Sequence, residues 1–213
     1  MARFIKGIHG SYQGKVGSVV GASWRGIDYV RSLPKRSSKV ASDSQMAQRI
    51  KFGMTTSFLK SIKDVLMLGY SDSKQKGRTG YNVAFQHFIK NAILGTYPDY
   101  TINYAAVQIA SGSLATLMGL EVLESFPKVL NVNWDPIGNR FNAFDDDQVF
   151  VVLYDPADNL FFAYEGMTRI DATMEITLPD SYTGKTIVGW IFNIHRDGLI
   201  TSSSQYLGEF ILN

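Results

Sequence analysis

The 213 residues are 45% apolar and 19% charged, a balance that fits a folded globular chain and excludes intrinsic disorder. No cysteine is present, which removes disulfides, zinc-thiolate sites and thiol nucleophiles together and leaves the compartment open. The net charge of +2 hides two opposite halves: sixteen Lys or Arg against four Asp over residues 1–95, or +12, and five basic against fifteen acidic residues over 96–213, or −10.

The opening MARFIKGIHGSYQGK has basic residues but no run of seven apolar ones, so no secretory signal is expected there. Nowhere do eighteen consecutive apolar residues occur, so no membrane-spanning helix is expected either. The localisation stays open among the cytoplasm of synthesis, the cell exterior and a virion-like assembly. Six of the nineteen glycines then fall within residues 7–26. Val16, Ser18, Val20, Ala22 and Trp24 alternate with Gly17, Val19, Gly21, Ser23 and Arg25, a two-residue period that predicts strands. The alternative is a helix with Gly7, Gly10, Gly14, Gly17 and Gly21 along one stripe, at a cost of about 1 kcal/mol for each glycine. Neither phosphate cradle is complete. GSYQGKV puts three residues between its glycines and a valine after its lysine, and Pro179 stands where a glycine is needed ahead of Gly184-Lys185-Thr186.

In ASDSQMAQRIKFGMTTSFLKSIKDVLML, Ser42 or Asp43 can cap a helix whose apolar stripe runs through Met46, Ile50, Met54, Phe58, Ile62 and Val65 or Leu66, with Gly69 ending it. After the loop SDSKQKGRTG, Thr79 or Asn82 starts a second helix, YNVAFQHFIKNAIL, closed by Gly95. From Asp99 onward short strands are predicted at YTINYAAVQIA, LEVLE, KVLNVNW, QVFVVLYD, NLFFAYEG, TMEITL, KTIVGWIFNI and QYLGEFIL, broken by the turn segments DPIGN, DPADN, LPDSYTG and RDG. The pattern predicts an α+β chain with N-terminal glycine-rich strands, two helices and a C-terminal antiparallel β-sandwich of immunoglobulin-like strand count. A boundary near residue 125 divides it into a strand and helix region, 1–125, and a sandwich domain, 126–213.

Few motifs carry chemistry. His9, His87 and His195 are scattered, with no metal-ligand spacing and no nucleophile elbow nearby. Asp145, Asp146 and Asp147 form the one dense acidic run, and on a sandwich loop such oxygens suit calcium, although the run lacks the spacing of an EF-hand and equally suits a solvated hairpin end. Phe161, Phe162 and Tyr164 share one strand, and Trp190 and Phe192 another. An exposed aromatic face would bind a glycan by stacking; a buried one is core or interface.

The segments GKVGSVVGASWRGIDYVRSLP, SQMAQRIKFGMTTSFL, GRTGYNVAFQHFIKNAILGTYPDY and GLITSSSQYLGEF resemble the Bacteroidota family known as domain of unknown function 6266, over almost the whole chain. That resemblance implies no activity and brings no catalytic residue. A looser similarity joins the elements Arg31 to Pro34, Gln45 to Arg49 and Thr79 to Asn82 to small virion-associated or surface proteins.

The expected function is that of a non-enzymatic structural or interaction protein, with no cofactor, that associates with itself head to tail into an oligomer or filament. Bare backbone at Gly14, Gly17 and Gly21 lets a neighbour approach, Trp24 and Tyr29 anchor it, and Arg25, Arg31, Lys35 and Arg36, together with the first helix, meet the acidic sandwich of the next copy, with Asp145, Asp146 and Asp147 among its interface residues. The alternative is a sandwich module for glycan or calcium. Nucleic-acid binding by the basic half ranks third, since only Trp24 and Tyr29 interleave with its cations.

Overall fold

A computed structural model describes residues 2–3, 12–24, 26–35, 40–72, 78–126 and 128–211. The alternating glycine-rich segment is extended in it. Strands Ala2–Arg3 (β1), Gly14–Val16 (β2), Val19–Trp24 (β3) and Ile27–Ser32 (β4) make an antiparallel sheet in the order β1-β4-β3-β2. Val16 pairs with Val19 across a two-residue turn in which Gly17 takes φ 57°, a left-handed backbone that a β-branched side chain resists. Gly21 has a different reason. A β-carbon there would collide with the carbonyl of Tyr12 and sit 2.8 Å from its ring, so the missing side chain makes room for this chain's own tyrosine.

The chain divides into two compact units, Met1–Ser42 and Asp43–Asn213. The expected boundary near residue 125 instead lies inside a strand of the second unit.

In that unit the helices come first. Asp43–Ser61 (α1) and Lys63–Gly69 (α2) occupy the single predicted helix, which turns at Ile62, where the backbone leaves the helical region at φ −109°, ψ 22°. Ile62 at that turn and Leu66 in α2 beyond it both stay buried. Gly80–Asn91 (α3) is capped by Thr79, whose side chain accepts the Asn82 N–H at 3.2 Å. It stops three residues before its predicted end. Ile93–Thr96 (β5), with β-branched residues at both ends, pairs with Asp99–Ile102 (β6), so Gly95 lies in a hairpin and closes no helix. Only the first part of YTINYAAVQIA is strand, because Tyr104–Ala106 coils into a short 3-10 turn.

The remaining strands follow the sequence pattern closely: Met118–Phe126 (β7), Val129–Asp135 (β8), Gln148–Asp155 (β9), Leu160–Thr168 (β10), Thr173–Thr177 (β11), Thr186–Ile194 (β12) and Gln205–Ile211 (β13). They form two antiparallel sheets, β10-β9-β12-β13 and β11-β8-β7. Alternation along β9 sends Val149, Val151 and Leu153 towards the three-stranded sheet, where they meet Leu130, Val132, Met174 and Ile176 in a sandwich core. Phe150, Val152 and Tyr154 face the other way and join Phe58, Leu66 and Phe88 of the helices, with Trp190 and Phe192 of β12, in a second core. The four-stranded sheet is thus covered on both faces, which explains why QVFVVLYD and TIVGWIFNI read as nearly unbroken apolar runs. Helices and sandwich therefore belong to one unit.

Candidate interaction surfaces

Register fixes the faces of the N-terminal sheet. Residues directly opposite in an antiparallel pair share a face, and the pairs Lys15↔Val20, Val20↔Arg31, Ala22↔Tyr29 and Trp24↔Ile27 place those seven residues together. The face is apolar in its middle rows and cationic in the row of Lys15 and Arg31. Trp24 is 50% exposed and Ile27 is also exposed. The opposite face carries Gly14, Val19, Gly21, Asp28 and Val30, and Tyr12 lies over Gly21.

Of the expected interface residues, Trp24, Tyr29 and Arg31 therefore come together on one face. Gly14 and Gly21 are opposite each other on the other face, Gly17 is in the hairpin turn, and Lys35 lies exposed beyond β4. Arg25 and Arg36, like His9, lie outside the described residues. Lys15 and Ile27 were missed, although the GS turn at residues 17 and 18 fixes the pairing that puts Lys15 beside Val20.

The acidic triplet in the second unit is divided. Asp147 is fully buried; its Oδ2 accepts from the Phe144 N–H at 2.9 Å and from Arg169 Nε at 3.2 Å. Burial pushes its carboxyl above the ordinary range, and the Phe144 N–H and the Arg169 guanidinium pull it back. Arg169 also donates through Nη2 to the Ala115 carbonyl, which Asn193 Nδ2 shares, and its own carbonyl accepts the Trp134 indole N–H. Asp147 thus ties the strands together and is withdrawn from any partner, contrary to its expected interface role. Asp146 pairs with Arg196 at 2.9 Å. Asp145 is exposed beside an open cleft of about 360 Å³ lined by Gly138, Asn139, Arg140, Ala143 and Phe144. Among the described residues no three His, Asp or Glu side chains gather at a point that holds a metal ion.

The aromatic strands are turned inward. Trp190 and Phe192 are inaccessible, Phe161 stacks on Tyr154 at 4.3 Å between ring centres, and Phe162 meets Tyr182 edge-on at 5.1 Å. No aromatic platform of the expected kind forms from these rings. Among the described residues no helix is long and apolar enough to cross a membrane.

A family model described as "Family of unknown function (DUF6266)" matches residues 11–208. The chain belongs to that family. The match spans β2, β3 and β4 of the N-terminal sheet and nearly all of the larger unit, as the resemblance of the glycine segment, the helices and the last strand implies. No curated protein matches the chain. Among solved structures it is similar to the fn3 domain of the human collagen alpha-1(XX) chain, at 16% identity and a TM-score of 0.33, over 48% of this chain and 89% of that one.

Charge separates the two units in the same sense as the two halves of the sequence. Residues 1–42 carry eight Lys or Arg against Asp28, or +7, and residues 43–213 carry thirteen against eighteen, or −5. The asymmetry is smaller than that of the halves because residues 43–95, with eight Lys or Arg against Asp43, Asp64 and Asp72, belong to the acidic unit.

Proposed function

We propose that this chain is a non-enzymatic structural or interaction protein that associates with copies of itself, the cationic aromatic face of Met1–Ser42 meeting the acidic larger unit of the next copy. One observation carries the reading: along β2, β3 and β4 only Gly21 is buried, while Trp24 and Ile27 stand exposed side by side on the cationic face. Covering such a face gains about 25 cal/mol per Å² of apolar area removed from water. Opposite net charges select the partner surface and steer the encounter. A contact between two unlike surfaces repeats head to tail and yields a ring or a filament. Glycan or calcium binding has less support, with the strand rings in the cores and the acidic triplet divided.

Light scattering on eluting chromatographic peaks, at low and high salt, tests the reading on the full chain and on residues 43–213, which hold both cores. The full chain is expected to run as an assembly that shrinks with salt, and the shorter form as a monomer with an unchanged unfolding midpoint. A full chain that is monomeric at every ionic strength overturns the proposal. So does co-eluting nucleic acid that accounts for the mass, since the cationic face then serves phosphates.

A further inference from the structure

Resting on that reading, we infer that the acceptor surface is the outward face of the β11-β8-β7 sheet, and that its occupant is the Lys15–Trp24–Arg31 face of a second copy. Register again defines the surface. Glu121 pairs with Asn133 and Asn133 with Thr173 in one row; Leu123 pairs with Asn131 and Asn131 with Glu175 in the next. These residues alternate with Leu130, Val132, Met174 and Ile176, which point into the sandwich core, so they face outward.

The chemistry of the face is one-sided. It carries Glu121, Asp135 and Glu175, and the three strands contain no Lys, Arg or His. Leu123 is 46% exposed and Met118 at the start of β7 is 63% exposed, which adds apolar surface to the carboxylates. The N-terminal face has the complementary content, with Trp24, Ile27 and Tyr29 beside two cations. Spacing matches as well. Lys15 and Arg31 flank β3 in one row, two strand spacings or about 10 Å apart, and Glu121 and Glu175 flank β8 from adjacent rows, about 12 Å apart on the diagonal. Two twisted sheets stacked face to face bring such rows within reach of long side chains.

Size sets the strength. A face of about 15 by 20 Å is well below the ~800 Å² per partner of a standard stable interface. The contact is therefore weak, concentration-dependent and strongly sensitive to salt, with charge supplying selection and the tryptophan supplying the anchor.

The test uses full-length chains and sedimentation velocity at low salt. Three samples are compared: the wild type, a Glu121→Lys, Glu175→Lys double variant, and a Lys15→Glu, Arg31→Glu double variant. All four positions are exposed, so unfolding midpoints serve as the check that both variants stay folded. The wild type is expected to associate, each double variant alone to weaken association on the order of tenfold or more, and an equimolar mixture of the two variants to recover it through the exchanged charges. Wild-type association that persists undiminished in the Glu121, Glu175 variant overturns this acceptor surface while leaving self-association standing. A wild type that stays monomeric under every condition overturns both. Loss in each variant without recovery in the mixture, with both folded, also sinks the pairing of these two faces.

Discussion

Arg169 Nε stands 3.2 Å from Asp147 Oδ2 with both side chains shut off from water, and this ion pair fastens the start of β9 to the turn that follows β10. The Arg169 N–H also donates to the Asp147 carbonyl at 2.9 Å, so backbone and side chain make the same joint. Removing one partner leaves a buried charge without compensation. Arg169→Met is expected to lose about 3–5 kcal/mol of stability, and the double variant Asp147→Asn, Arg169→Met less than the sum of its parts. Urea unfolding of the four proteins in the cycle measures the coupling; a loss of under about 1 kcal/mol for Arg169→Met would place this pair with ordinary surface bridges.

Gly21 and Tyr12 make the second testable contact. Gly21→Val introduces atoms where the Tyr12 carbonyl and ring already lie, and overpacking of that kind costs about 1–3 kcal/mol. The N-terminal sheet has little buried area to absorb the loss, so amide protection over residues 19–32 should fall sharply. The larger unit should keep its own unfolding midpoint, because neither of its cores includes a residue before Phe58. Hydrogen exchange followed by mass analysis resolves the two; undiminished protection in β3 and β4 would mean that Tyr12 moves aside at no cost.

The sandwich strands were legible because each is a short apolar or alternating run between turn residues, and β8 shows the alternation residue by residue from Val129 to Trp134. The layer order was harder to read. QVFVVLYD and TIVGWIFNI have no period, since Val149 and Phe150 are both buried on opposite faces, and a sequence pattern does not say what covers the second face. The boundary near 125 follows SFPK as a hinge signal, and it parts the helices from the sheet they cover. The acidic triplet misled for a similar reason: three adjacent aspartates look alike in sequence, and only the fold sends Asp147 inward to an arginine 22 positions away. On the N-terminal face, Tyr29 and Arg31 group from alternation along β4 alone, whereas adding Trp24 and Lys15 requires the register of the two hairpins.

Thr79 is a cap whose value can be isolated. Its side chain satisfies the Asn82 N–H, one of the amides that a helix start leaves without an internal partner. Thr79→Ala should cost about 1 kcal/mol and Thr79→Ser should restore nearly all of it. Thermal unfolding of the three forms gives the comparison. Equal losses for alanine and serine would assign the effect to the threonine methyl group and not to the hydroxyl.

Acid should weaken the fold through three loop carboxylates. The Thr168 N–H and hydroxyl hold Asp171 below the ordinary carboxyl value of 3.8, the Lys128 ammonium does the same for Asp180, and the Leu199 N–H, followed by His195, does so for Asp197. In each case the folded value is the lower one, so the unfolded chain takes up the proton first as pH falls. Their contribution is complete above 3.8 and is lost as pH drops through the folded values. Asp147 runs in the opposite sense, because burial raises its folded value and favours the neutral form at low pH. All three loop groups are exposed to solvent screening, so the expected signature is a shallow decline in unfolding temperature that begins near about pH 4 and steepens below it. Asp171→Asn should flatten that decline and leave the neutral-pH behaviour otherwise parallel to the wild type. If the unfolding temperature of the wild type instead rose as the pH fell towards about 4, protonation of the buried Asp147 carboxyl, whose folded value lies above 3.8, would outweigh the onset of that decline.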